Sequence, residues 1–206
     1  MIITIARQFA AGGSEVAKRV AEALAWTLVD NQVVDEVARR AGLPREEVAG
    51  REERAPSFIE RLTRALAISA PEFVNPESAL SNLTEEQVVP LTEKVVAEAA
   101  SRGNCVLVGR AAAAVLGLRD DTLHVKVVAP IGERVKRAME RLGQDAKEAE
   151  RRVLDADANR ARYHREYYRR DWDDPVNYDV VVNTGRLGIE GAVGVILRAA
   201  DARKVG

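Results

Sequence analysis

Cysteine is all but missing from this chain. The one residue, Cys105, lies in the apolar run Cys105-Val106-Leu107-Val108. An internal disulfide framework is therefore excluded, which fits a protein of the reducing cytoplasm, and a thiol inside a buried strand is expected to be inert. Histidine is nearly as scarce: His124 and His164 have no partner at the spacing of a metal site or a triad, so both read as structural. With no nucleophile constellation either, a hydrolase reading has nothing to stand on. Charge of one sign is also lacking. A formal net charge of -1 leaves no global field to draw the protein to nucleic acid or a membrane surface. No apolar run approaches the ~20 residues that span a bilayer. The opening residues read as a strand rather than a charged stretch, an apolar core and a cleavage site, so no leader is expected.

What is present is an alternation of strands and helices. Apolar residues make up 47% and charged residues 31% of 206 positions, the balance of an ordinary globular protein with room for a real core. Ile2-Ile3-Thr4-Ile5 is a short β-branched run bounded by small residues, and Ser14–Leu24 follows with Val16, Val20, Ala21 and Leu24 on one helical stripe. Further strands are expected at Trp26–Val29, Asn104–Val108, Thr122–Val128 and Tyr178–Val182. Helices are expected over Asn31–Arg40, Glu85–Ser101, Glu133–Leu142 and Ile189–Ala200. Such alternation predicts one α/β domain, a three-layer α/β/α sandwich around five parallel strands. Two segments break the pattern. Residues 43–84 carry Pro44, Pro56, Pro71 and Pro76 and read as an irregular helical insertion, and residues 144–173 read as a charged, aromatic, arginine-rich helical insertion. Both would emerge at the carboxyl ends of strands, where open α/β sheets bind ligands.

The turn after the first strand carries the chemistry. A phosphate loop presents backbone N–H groups to an anion at a helix N-terminus, with the pattern GxxxxGK[ST]. Here the eight positions are Arg7-Gln8-Phe9-Ala10-Ala11-Gly12-Gly13-Ser14. The second glycine and the hydroxyl are retained as Gly12 and Ser14; the first glycine has become Arg7 and the lysine has become Gly13. Two readings stay open: an altered phosphate site, or a tight strand-to-helix turn with Ser14 as a plain N-cap.

The stretch "TIARQFAAGGSEVAKRVAEAL" resembles the start of the cytidylate kinase-like family, a branch of the P-loop nucleoside monophosphate kinases in which the loop looks like "SRQYGSGGREIA". Further similar stretches are "LVDNQVVDEVARRAGL", "NCVLVGRAAAAVL" and "RARYHREYYRRDWDDPVNYDVVVNTGRLGIEGAV". They keep their order nearly end to end. The family's usual arginine after Gly-Gly is Ser14 here.

The resemblance implies ATP-dependent phosphoryl transfer to a nucleoside monophosphate, with ATP and Mg²⁺ as cofactors and a small nucleotide as partner. Gly12, Gly13 and Ser14 would cradle the donor phosphates, and Ser14 would hold Mg²⁺. Asp30, at the end of the second strand, and Arg110, at the end of the third, would hold the acceptor. Arg110 also has a reason of its own, since an arginine closing an apolar run is costly unless it meets an anion. Arg160 and Arg162 match the arginine-bearing lid, with Arg165 a weaker third, and would neutralise the transferred group. Tyr163, Tyr167 and Trp172 read as packing anchors for that lid. Asn183-Thr184 falls where such kinases place the loop that brackets the donor base. Arg7 is the candidate stand-in for the missing lysine. The rival reading is a nucleotide-binding or regulatory protein that kept the fold and lost catalysis. Gly13 favours it, as does Ala6, which stands directly after the first strand where many such kinases carry an acidic residue.

Overall fold

In the computed structural model, which describes residues 1–30, 85–109 and 111–205, the chain runs β1 (Ile2–Arg7), α1 (Gly13–Leu24), β2 (Thr27–Val29), α2 (Glu85–Ser101), β3 (Cys105–Val108) and α3 (Ala112–Leu116). It continues through β4 (Thr122–Val128), α4 (Ile131–Leu142), α5 (Ala146–Tyr168), a single 3₁₀ turn at Pro175–Asn177, β5 (Val180–Asn183) and α6 (Thr184–Val205). The five strands form one parallel sheet in the order β2-β3-β1-β4-β5. The expected architecture is the observed one. The insertion expected over 43–84, the helix expected over Asn31–Arg40 and Arg110 lie outside the described residues.

Period-2 alternation of the buried strands explains how both faces are filled. Ile3, Ile5, Val106, Val108, Leu123, Val125 and Val127 point to one face, where they pack with Val16, Ala17 and Val20 of α1 and Ala192, Val193 and Ile196 of α6. Their neighbours Thr4, Leu107, Thr122, His124 and Lys126 are buried toward the opposite face. Central β1 pairs with β3 on one side and β4 on the other, with Ile5 opposite both Val108 and Val125. The connections leaving neighbouring β1 and β3 run in opposite directions across the sheet, to β2 and β4, and so open a crevice at their carboxyl ends.

Several boundaries differ from expectation for local reasons. The first helix begins at Gly13, and its N-cap is Gly12 in the left-handed region (φ 82°) with no side-chain cap bond, so Ser14 is not the cap. The helix after β4 begins at Ile131, two residues early, because Pro130 fixes the entry. Helical geometry begins at Thr184 directly after β5, where a loop was expected at Asn183-Thr184, and is interrupted at Gly188 (φ 68°, ψ 178°); the long helix starts at Ile189, as the apolar spacing indicates.

The lone cysteine is buried, and desolvation raises its thiol above the ordinary value, the state of an inert thiol. His124 is held on both sides. Its Nε2 lies 2.7 Å from the Gly117 carbonyl and its Nδ1 2.7 Å from Thr4 Oγ1. A carbonyl only accepts, so Nε2 carries the proton and Nδ1 accepts from the threonine hydroxyl. Burial pushes the His124 pKa down.

Candidate active site

The loop between β1 and α1 is held from three directions. From β4, the Ala129 amide donates to Gln8 Oε1 at 3.2 Å. From the start of α6, buried Thr184 Oγ1 donates to the Ala11 carbonyl at 2.6 Å and accepts from Arg137 at 3.2 Å. The third hold is the tightest. Phe9 inserts its ring between α4 and α5, among Ala138, Ala149, Val153 and Ala156, while its amide donates to Asp157 Oδ1 at 2.8 Å. Asp157 also accepts from Arg160 at 3.1 Å and pairs with Arg134, whose Nε donates to the Ala129 carbonyl at 3.0 Å. Two buried guanidinium groups thus converge on one carboxylate, which holds the loop against the helical pair. The Arg141, Arg152 and Arg160 guanidiniums lie 5.0, 5.8 and 6.0 Å from the centre of the Phe9 ring.

The α1 N-terminus opens onto a cleft of about 320 Å³ lined by residues 7–10 and 12–15, from the end of β1 through the loop into the first turn of α1, together with Arg141 and Arg160. Amides in the first turn of a helix have no intrahelical acceptor and carry the positive end of its dipole. Gly12 is favoured by its left-handed φ; a Cβ there would also come 2.6 Å from the tip of Ile189, Cδ1, which would have to turn aside. Gly13 is buried and Ser14 exposed beside it. Arg7 and Arg160 also line a much smaller cavity at the carboxyl ends of β1 and β3, along with Thr4, Gly109 and Trp172. These two arginines therefore stand between the loop and the crevice of the sheet.

Of the residues singled out in the sequence, Arg7, Gly12, Gly13, Ser14 and Arg160 meet in one cleft. Arg162 does not line it; its guanidinium is 3.9 Å from Glu166 on the same helix. Asp30 is half-buried just beyond β2. Trp172 is buried, and Lys126 ties it to the sheet: the Lys126 ammonium donates to the Trp172 carbonyl at 2.6 Å and to Asp173 at 2.7 Å, and sits 4.1 Å from the indole centre. Sequence reasoning missed Phe9, Arg134, Arg141 and Asp157. A signal existed for this region: the buried stripe of α5 runs Ala149, Val153, Ala156, Arg160, His164, and an arginine on such a stripe marks a buried charge in need of a partner.

A divalent ion would find the exposed Ser14 hydroxyl at the start of α1 and, next to it, the Glu15 carboxylate, which already accepts from Arg19 at 2.6 Å. Among the described residues no group of three or more His, Cys, Asp or Glu is placed to hold a metal, so phosphate oxygens and water would complete its shell. Nor, among those residues, is any helix long and apolar enough to cross a membrane.

Solved structures share this architecture. A shikimate kinase from Bacteroides thetaiotaomicron superposes with a TM-score of 0.54 at 13% identity, over 98% of both chains. An uncharacterised protein from Eubacterium ventriosum superposes with a TM-score of 0.70 at 23% identity, also over 98% of both. The class is therefore the P-loop kinase-type α/β sandwich. Within it, the chain belongs to the cytidylate kinase-like family, which it matches over residues 2–186.

A cytidylate kinase of Methanocaldococcus jannaschii is 33% identical over 110 residues, 52% of this chain and 61% of the relative. One of Archaeoglobus fulgidus is 27% identical over 206 residues, 100% of this chain and 97% of the relative. A uronate isomerase of Corynebacterium glutamicum is 29% identical over 142 residues, 68% of this chain and only 27% of the relative. The chain thus spans about a quarter of that isomerase and about three-fifths of the M. jannaschii kinase.

Proposed function

We propose that this protein transfers a phosphoryl group from ATP to a nucleoside monophosphate, with cytidylate the acceptor that its family suggests. The observation that carries the reading is the convergence of Arg7, Arg141 and Arg160 with the first-turn amides of α1 on one cleft. Phosphoryl transfer asks the protein for positioning and for positive charge around the transferred group, and little else.

In this reading Gly12, Gly13 and Ser14 present amides to the donor phosphates, and the Ser14 hydroxyl takes one position on Mg²⁺. A bound Mg²⁺ would supply charge neutralisation between the β- and γ-phosphates. Arg160, held by Asp157, faces the group in transfer, while Arg162 belongs to the outer face of the same helical segment, residues 144–173, which acts as the lid. Asp30 and Arg110 hold the acceptor, the guanidinium of Arg110 gripping its phosphate in a two-pronged bond.

A second reading, a nucleotide-binding protein without turnover, is favoured by Gly13 in the lysine position and by the Asp157 carboxylate already bonded to a loop amide. A thermal-shift panel, read together with turnover of ATP and cytidylate, separates the two. Ligand at a hundred times Kd stabilises the fold by about 2.7 kcal/mol. Stabilisation by ATP with Mg²⁺ and, independently, by one monophosphate supports the kinase; a shift from a monophosphate alone supports the binding protein.

A further inference from the structure

The altered loop differs from the usual phosphate-loop pattern at two positions, the first and the seventh, and the fold puts those two in contact. A Cβ built on Gly13 would fall inside the van der Waals shell of Arg7 Cβ and within 2.8 Å of Arg7 Cγ. The stem of Arg7 therefore runs across the very point from which a lysine at position 13 would leave the backbone. Gly13 itself has ordinary helical geometry as the first residue of α1, and its φ is not left-handed. Backbone strain is thus no reason for glycine here. The reason is the arginine.

We infer that the loop has exchanged the places of its cation and its glycine: Arg7, from the end of β1, delivers to the donor phosphates the charge that a lysine after Gly12 delivers elsewhere, and Gly13 is the space its stem requires. Three observations support the exchange over a chance loss of the lysine. The two changes are sterically complementary, since a side chain at 13 and one at 7 exclude each other. Arg7 lines both the loop cleft and the cavity at the ends of β1 and β3, so the residue borders both of the spaces between which a phosphoryl group would pass. The other cleft arginines are rooted elsewhere: Arg160 leaves the chain on α5, and Arg141 stands in the last turn of α4 beside the Phe9 ring. Of these three arginines, Arg7 alone leaves the chain at the foot of α1, beside the amides. A guanidinium fork can also bridge two phosphate oxygens where an ammonium acts as a point charge.

This inference rests on the phosphate-site reading above, and a set of exchange variants tests it. Arg7→Gly alone should weaken ATP binding, measured by calorimetry with Mg²⁺ present, by about ten- to a hundredfold, the worth of one charged hydrogen bond. Gly13→Lys alone should lower the melting temperature, because the obstruction is Arg7 Cβ and Cγ and not a flexible tip. The double variant Arg7→Gly, Gly13→Lys rebuilds GxxxxGK[ST] and should recover most of the lost affinity together with the lost stability. Arg7→Ala, Gly13→Lys keeps the offending Cβ and should recover neither. If Arg7→Gly binds ATP as the parent does, or the rebuilt loop binds no better than Arg7→Gly alone, the exchange is refuted while the phosphate site stands. If the parent binds no triphosphate at all, the phosphate-site reading falls, and the exchange falls with it.

Discussion

Asp157→Asn isolates what holds the loop to the helical pair. The substitution is nearly isosteric, and the amide side chain can still accept from the Phe9 N–H through its oxygen. What it removes is the negative charge between Arg134 and Arg160, whose side chains are each 7% exposed around a carboxylate that is itself 15% exposed. Burial at that level leaves little solvent to compensate, and removing one partner of such a pair costs about 3–5 kcal/mol. The amide of asparagine also turns a donor toward Arg134, a group that only donates. For a chain of this size each kcal/mol is worth roughly 2–4 °C, so the melting temperature should drop by about 6–20 °C. Calorimetric melting gives that number directly, and urea unfolding checks it as a free energy. ATP affinity should fall as well, because the Phe9 end of the loop is no longer fixed. A variant within about 1 kcal/mol of the parent, the range of an exposed ion pair, would refute the argument that this cluster anchors the loop.

Arg160→Ala should lower kcat/KM by roughly 10³-fold, the scale of arginines acting on a transferred phosphoryl group, whereas Arg162→Ala, whose guanidinium faces Glu166 and does not line the cleft, should stay near the parent; steady-state kinetics of both variants checks this. Arg110→Lys keeps charge but not the fork, so acceptor binding should weaken with the melting curve unchanged; equal affinity for the monophosphate removes Arg110 from the site. His124 gives a pH signature. Burial holds its folded pKa below the ordinary 6.5, outweighing Gly117 and Asp179, which raise it, while Arg170 and Arg203 push it down further. The unfolded chain then takes up a proton that the folded chain refuses, so this contribution to stability is complete above 6.5 and is lost as pH falls toward the folded value. Urea midpoints between about pH 7 and about pH 5 should fall more steeply for the parent than for His124→Gln; equal slopes would refute the assignment.

Much of the fold was legible because it is written in short-range patterns. The β-branched runs of β1, β3 and β4 sit between small-residue turns, and the alternation of strand and helix dictates a parallel sheet. Boundaries were less legible where local residues override the pattern, as Pro130 does at α4 and as the helical turn from Thr184 to Leu187 does ahead of Gly188. The loop was recognisable from its glycines and position, but its anchoring was not. Phe9 looks like an isolated aromatic in a small-residue turn, and its pocket is built from helices more than a hundred positions away. Asp157 looks like one more charge on a polar helix; its partners Phe9 and Arg134 lie 148 and 23 positions distant. Nor does sequence spacing reveal that Arg7 and Gly13 touch, since that contact depends on how sharply the loop turns back over the strand end.

The central claim, that this altered loop supports phosphoryl transfer, is tested most directly by following ³¹P resonances of ATP and Mg²⁺ mixed with cytidylate and the purified protein. The account predicts that the cytidylate signal gives way to a nucleoside diphosphate while ATP is converted to ADP, with both changes abolished in Arg160→Ala. Unchanged ATP and cytidylate spectra, from protein that ATP nonetheless stabilises against heat, would contradict it and leave a binding protein in its place.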